Sequence, residues 1–96
     1  MFNEVYDYIL VAADTLVKTG TGKLHTLTFS QNDAVPTAGT IIVYDSVTEA
    51  STQIFNHNFT VAPFNAYTVV LDVAFKTGLY IGFTTTADVN VTVSYK

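Results

Sequence analysis

The last eight residues alternate without a fault, with Val89, Val91, Val93 and Tyr95 on one side and Asn90, Thr92, Ser94 and Lys96 on the other. Strand side chains point to opposite faces with period two, so this segment reads as a strand with one apolar and one polar face. The same pattern recurs through most of the chain. Tyr67, Val69, Leu71, Val73 and Phe75 share one face, and Leu79, Ile81 and Phe83 follow after Lys76-Thr77-Gly78. Two such runs around a short glycine turn predict a hairpin. Leu24, Leu27 and Phe29 mark a strand after the turn at Gly20 and Gly22, Gly39 opens one over 40–46, and Gln53–Phe59 predicts another. Asn32, Asp33 and Pro36, the polar stretch 46–51, Pro63 with Asn65, and 86–88 break the chain between them. No segment shows a 3.6-residue period. The expectation is an all-β fold: a single small antiparallel β-sandwich of jelly-roll type with six to eight strands. It spans 19–96, with 1–18 an N-terminal arm or edge strand in which 9–13 and 15–18 are short candidates broken at Asp14.

A chain of 96 residues is one domain and buries only about 60–70% of its unfolded surface. Small domains supplement such a core with disulfides, a metal or a partner subunit. Zero cysteines remove the first and thiolate metal sites, and two histidines form no ligand cluster. Self-association is the remaining device. The charge balance, four lysines against eight carboxylates, argues against a nucleic-acid partner, which needs a basic stripe. No stretch approaches the roughly 20 apolar residues of a membrane helix. Glu4 and Asp7 precede the short apolar run 8–13, where a signal peptide would carry basic residues, so no export signal is expected.

Only 12% of residues are charged while 49% are hydrophobic, which suits a surface buried against a partner. A single sandwich needs one apolar face per strand. Here Ile41 and Val43 are accompanied by Ile42 and Tyr44 on the opposite face, Val70 interrupts the series from Val69 to Val73, and Tyr80 lies between Leu79 and Ile81. Ile42, Tyr44, Val70 and Tyr80 are therefore candidate oligomer contacts.

Reactive chemistry is scarce. The stretch Thr19-Gly20-Thr21-Gly22-Lys23-Leu24 lacks the earlier glycine and the following hydroxyl of a phosphate loop, with Val17 and Leu24 in those places. It reads as a turn. His25 and His57 accompany no nucleophile-elbow pattern around Ser30, Ser46, Ser51 or Ser94. Asp45, Glu49, Asp72 and Asp88 lack calcium-loop spacing, and Asp45 suits local turn hydrogen bonds. No catalytic residue, cofactor or metal site is assigned, and the expectation is not an enzyme. The sequons Asn58-Phe59-Thr60 and Asn90-Val91-Thr92 carry no meaning without export.

Gly22-Lys23-Leu24, the run Gly39-Thr40-Ile41-Ile42-Val43-Tyr44-Asp45, then Tyr67, Phe75, Gly78-Leu79 and the closing Val91-Thr92-Val93-Ser94-Tyr95 carry a resemblance. Over about 75 residues, the chain resembles small virion proteins of tailed bacteriophages. These are capsid decoration, or cement, proteins and related head-fibre modules. The resemblance implies a small sandwich made in the host cytoplasm that sits on the outer capsid surface of the virion. There it would associate with itself, as a homotrimer in preference to a dimer, and clamp neighbouring major capsid proteins. Aromatic residues outside the strongest alternation, Phe2, Tyr6, Tyr8, Phe55, Phe59 and Phe64, are the candidate capsid contacts. The competing expectation is a carbohydrate-binding adhesion module, in which sugars stack on exposed tyrosines.

Overall fold

The computed structural model describes residues 5–31, 39–49, 52–59, 67–84 and 89–96. They hold eight strands: β1 (Asp7–Val11), β2 (Thr15–Thr19), β3 (Gly22–Gln31), β4 (Gly39–Tyr44), β5 (Gln53–Phe59), β6 (Tyr67–Phe75), β7 (Gly78–Thr84) and β8 (Val89–Tyr95). These form two antiparallel sheets of four strands, ordered β1-β8-β3-β6 and β2-β7-β4-β5. The fold is all-β. The expected strands at 9–13 and 15–18 correspond to β1 and β2, each at the edge of a different sheet. The breaks expected around Asn32, Asp33 and Pro36, at Pro63 and Asn65, and at 86–88 lie outside the described residues.

The pairing has a simple logic. First strand pairs with last, second with seventh, third with sixth and fourth with fifth. This is one long ribbon with its tip at β4 and β5, rolled so that β3 also lies against β8 and β4 against β7. The rolled ribbon is a plate of 41 × 34 × 16 Å, its thin dimension that of two stacked sheets.

Alternation supplies the core. Leu24, Leu27, Phe29, Val89, Val91 and Val93 point inward from the first sheet, and Ile41, Val43, Leu79 and Ile81 from the second, all fully buried. Leu24 and Leu27 are three apart, so strict period two would put them on opposite faces. A bulge corrects this: Leu24 pairs with Tyr95 and Thr26 with Ser94, which leaves His25 as the extra residue opposite β8.

The predicted hairpin over 67–83 is overturned. β6 and β7 lie in different sheets and do not pair. Lys76-Thr77 is instead a corner, and it crosses between sheets beside the other corner at Gly20-Thr21, where the Gly20 amide donates to the Thr77 carbonyl at 2.8 Å. Apolar residues on β6 and β7 thus meet across the core rather than side by side. Period two is the same in both arrangements, so alternation alone does not separate them. Among the described residues, β4 and β5 are the one consecutive pair that forms a hairpin.

Two titratable groups tie this architecture to pH. Asp45, at the end of β4, accepts amide hydrogen bonds from Thr77 at 2.8 Å, Lys76 at 3.0 Å and Gly78 at 3.4 Å. These are not the local turn hydrogen bonds expected of Asp45: they reach Lys76, Thr77 and Gly78, more than thirty residues on, and brace the β6–β7 corner. The Thr77 amide first, with those of Lys76 and Gly78 and the Lys76 charge, holds its carboxyl below the usual range against the opposing effect of burial. His57 faces inward opposite Ile41, its ring centroid 5.2 Å from Phe29 and 6.2 Å from Phe55. Burial pushes its pKa down. Protonation of His57 is disfavoured in the native state relative to the unfolded chain, which protonates near pH 6.5, so this stabilisation is present above about 6.5 and declines below it. The contribution of Asp45 is present above the ordinary carboxylate pKa of about 4 and is lost as pH falls through its lower folded value. Thermal melts are accordingly expected to weaken between about pH 7 and 5, with a further loss below about pH 4. His57→Leu should flatten the first decline, and an unaltered slope in that variant would contradict this account.

Candidate interaction surface

The polar positions of each strand define the outer faces of the plate. On the first sheet, register aligns Tyr8, Ser94, Thr26 and Val70 in one row across four strands. The next row holds Leu10, Thr92, Thr28 and Thr68. None of these eight residues is charged. Tyr8 is 79% exposed, Val70 63% and Leu10 58%. Threonine hydroxyls fill the middle, and the Oγ1 atoms of Thr28 and Thr68 are 2.9 Å apart in a hydrogen bond. These two rows form an uncharged band, with Tyr8 and Leu10 at one margin, Val70 at the other and hydroxyls between them.

One corner of this face is more elaborate. Leu24 pairs with Val73 and Thr26 with Val70, so His25 alone opposes Leu71 and Asp72. That bulge puts Asp72 in the left-handed region, at φ 48°. Its Oδ1 meets the Nδ1 of His25 at 2.5 Å, and Tyr6 stacks on the imidazole with centroids 4.2 Å apart and planes 9° from parallel. His25 is held at the strand surface by a carboxylate on one side and a ring on the other. The arrangement offers a stacking surface and hydrogen-bonding groups beside the open ring of Tyr8.

The outer face of the second sheet is built differently. Tyr44 pairs with Tyr80, the rings meeting edge to face at 6.1 Å. Tyr44 lies over Gly82, where an added Cβ would come 3.1 Å from its Cε2 and 3.4 Å from Glu49 Oε1. Only 6% of Tyr44 is exposed. Burial first, then the negative charges of Glu49 and Asp14, pushes its phenol pKa up. Tyr80 is shifted the same way, with burial again first and Asp14 next. Asp14 is itself fixed, accepting the Phe83 amide at 2.7 Å. Glu49, in the stretch after β4, lies against Gly82 beside Tyr44, and Leu16, paired with Tyr80, stays 43% exposed.

The four candidate oligomer contacts therefore do not form one surface. Ile42, Tyr44 and Tyr80 share the second sheet, Tyr44 covered from within the chain, and Val70 belongs to the first sheet. Among the candidate capsid contacts, Phe2 and Phe64 lie outside the described residues, as does the side chain of Phe59. Phe55 pairs with Val43 and packs against the core. Tyr6 is stacked on His25, and among the described members of this set Tyr8 alone presents an open ring. Sequence reasoning passed over Leu10, although Tyr8 and Leu10 against Ile9 and Val11 show the same two-faced apolarity that drew attention to Ile42 and Tyr44. No family model, curated protein or solved structure matches this chain.

Proposed function

We propose that this protein is a non-enzymatic structural subunit of a virion. It binds the outer capsid surface through the first sheet and stabilises the shell by clamping neighbouring major capsid proteins. The observation that carries the reading is the uncharged face of Tyr8, Leu10 and Val70 around a hydroxyl centre. Flat apolar surface with a polar surround and few charges is the composition of a protein interface core. The strand order β1-β8-β3-β6 over β2-β7-β4-β5 supports the jelly-roll form of the sandwich, since a rolled eight-stranded ribbon generates two interleaved Greek keys. A rigid plate of this kind needs no chemistry to act. It binds the assembled shell and not separated subunits, and so stabilises assembly by RT ln(1 + [L]/Kd).

Capsids prepared without the protein are expected to bind the purified chain in a fixed ratio to the major subunit and to melt at higher temperature once loaded. Val70→Asp, at an exposed edge position, should weaken that binding by at least about 10-fold while leaving the fold intact. Capsids whose melting is unchanged at saturation would end the clamping proposal. The second reading, carbohydrate binding, is favoured by the open Tyr8 ring beside the Tyr6–His25–Asp72 corner. A glycan-array signal that disappears in Tyr8→Ala would put that reading in its place.

A further inference from the structure

Four strands have a free edge among the described residues: β1 and β6 in the first sheet, β2 and β5 in the second. A free edge is a template for another strand, and proteins protect edges with bulges, lysines and prolines. Three of these four carry a bulge on the edge strand itself. In β2, Val17 is extra between Leu16, paired with Tyr80, and Lys18, paired with Leu79. In β5, Ile54 is extra between Gln53 and Phe55, whose partners Tyr44 and Val43 are adjacent. In β6, Leu71 and Asp72 oppose the single His25. β1 has no bulge, and its one charged residue, Asp7, stands at its first position. Its register with β8 is unbroken from Asp7↔Tyr95 to Val11↔Val91, and it contains neither lysine nor proline.

We propose that the free edge of β1 is a self-association site, at which a second copy of this chain adds its own β1 antiparallel across a two-fold axis. The sequence of the strand is self-complementary. An even register keeps both cores on the same side of the joined sheet, and a one-residue slip would put them on opposite sides. Of the even registers, the one centred on Ile9 uses all five residues. It sets Tyr8 against Leu10 of the second copy on the outer face, and Ile9 against Ile9 on the inner face. Each Asp7 falls opposite Val11 of the other copy, so no like charges oppose each other. Tyr8 and Leu10, both exposed in the single chain, then cover each other twice. The pairing adds on the order of four backbone hydrogen bonds.

The joined first sheet has eight strands and doubles the uncharged outer face in one plane. A five-residue strand is short against the roughly 800 Å² per partner of a standard interface, so the dimer dissociates on dilution. The pairing is two-fold, where the sequence reading favoured three copies, and it holds whether or not the partner is a capsid.

The test is light scattering on the full chain from about 1 μM to about 1 mM, with two double variants that read the register. The wild type should move from the 10.5 kDa monomer towards twice that mass as concentration rises. Tyr8→Lys with Leu10→Lys opposes two lysine pairs across the axis and should raise the dimer Kd at least about 10-fold. It also lowers the net charge from −4 to −2, so general repulsion cannot be the cause of a loss. Tyr8→Lys with Leu10→Glu keeps the same lysine but faces it with glutamate, and should restore the wild-type Kd to within about three-fold. A wild type that is monomeric throughout, a trimer, or a Lys/Glu variant as weak as the Lys/Lys variant would each overturn the proposal.

Discussion

Phe29→Ala is expected to lower stability by about 3–5 kcal/mol, much of what a domain of this size possesses. Phe29 sits on β3, which has a partner strand on each side, and pairs with Val91 and with Tyr67. It is fully buried, and across the core its ring meets His57 of the second sheet. Its side chain therefore fills the gap between sheets rather than a margin. Rigid flanking strands prevent collapse into the vacated volume, so both the transfer loss and the cavity penalty are incurred. At roughly 4–8 °C per kcal/mol the melting temperature should fall by at least about 12 °C. Val70→Ala, on the exposed outer face, should change stability by less than about 0.5 kcal/mol. Urea denaturation of the two variants tests the assignment of inner and outer faces. A Phe29→Ala cost below about 1.5 kcal/mol would mean that the core does not lie between these sheets.

The existence of the strands was legible because alternation is local. Gln53–Phe59 and Tyr67–Phe75 have the expected bounds, and the inward residues of β8 are the odd-numbered valines. Partner choice was not legible. Side-by-side pairing in a hairpin and facing across a core impose the same period on β6 and β7. What decides between them is the neighbouring corner at Gly20, more than fifty residues away in sequence. The bulges were equally silent, since His25, Val17, Ile54 and Asp72 carry no glycine to announce them. One of them bears directly on the site: His25 opposite Leu71 and Asp72 builds the corner where the carboxylate meets the imidazole. Val70 and Tyr44 look alike as out-of-phase apolar residues. They differ because Tyr44 is covered from within the chain, with Glu49 beside it, while nothing among the described residues shields Val70 to a similar degree. Apolar surface on a second face can be read from sequence, but whether the chain covers it depends on a contact between distant segments.

Gly78→Ala is expected to cost about 2–4 kcal/mol, although it adds one methyl group. Gly78 opens β7 immediately after the corner, and a Cβ there would come 2.8 Å from the Ser46 carbonyl oxygen and 3.0 Å from that of Lys18. The Val47 Cγ1 also stands 3.0 Å from the same position, but the two carbonyls are backbone, so no rotamer change relieves them. Neither can retreat easily. Lys18 is held in the β2–β7 ladder, and Ser46 follows Asp45, whose carboxylate grips the amides of Lys76, Thr77 and Gly78 itself. The methyl group would have to push apart β2, the loop after β4 and the β6–β7 corner together. Gly20 offers the opposite case at the adjacent corner. Its φ of +91° disfavours a side chain, but an added Cβ would meet nothing within 4 Å. Alanine there should cost only about 1 kcal/mol, from backbone conformation alone. Denaturation midpoints of the two variants should therefore rank Gly78→Ala well below Gly20→Ala. An inverted ranking would show that the corner yields to crowding more readily than to a strained φ, and that Asp45 does not fix the passage between the sheets.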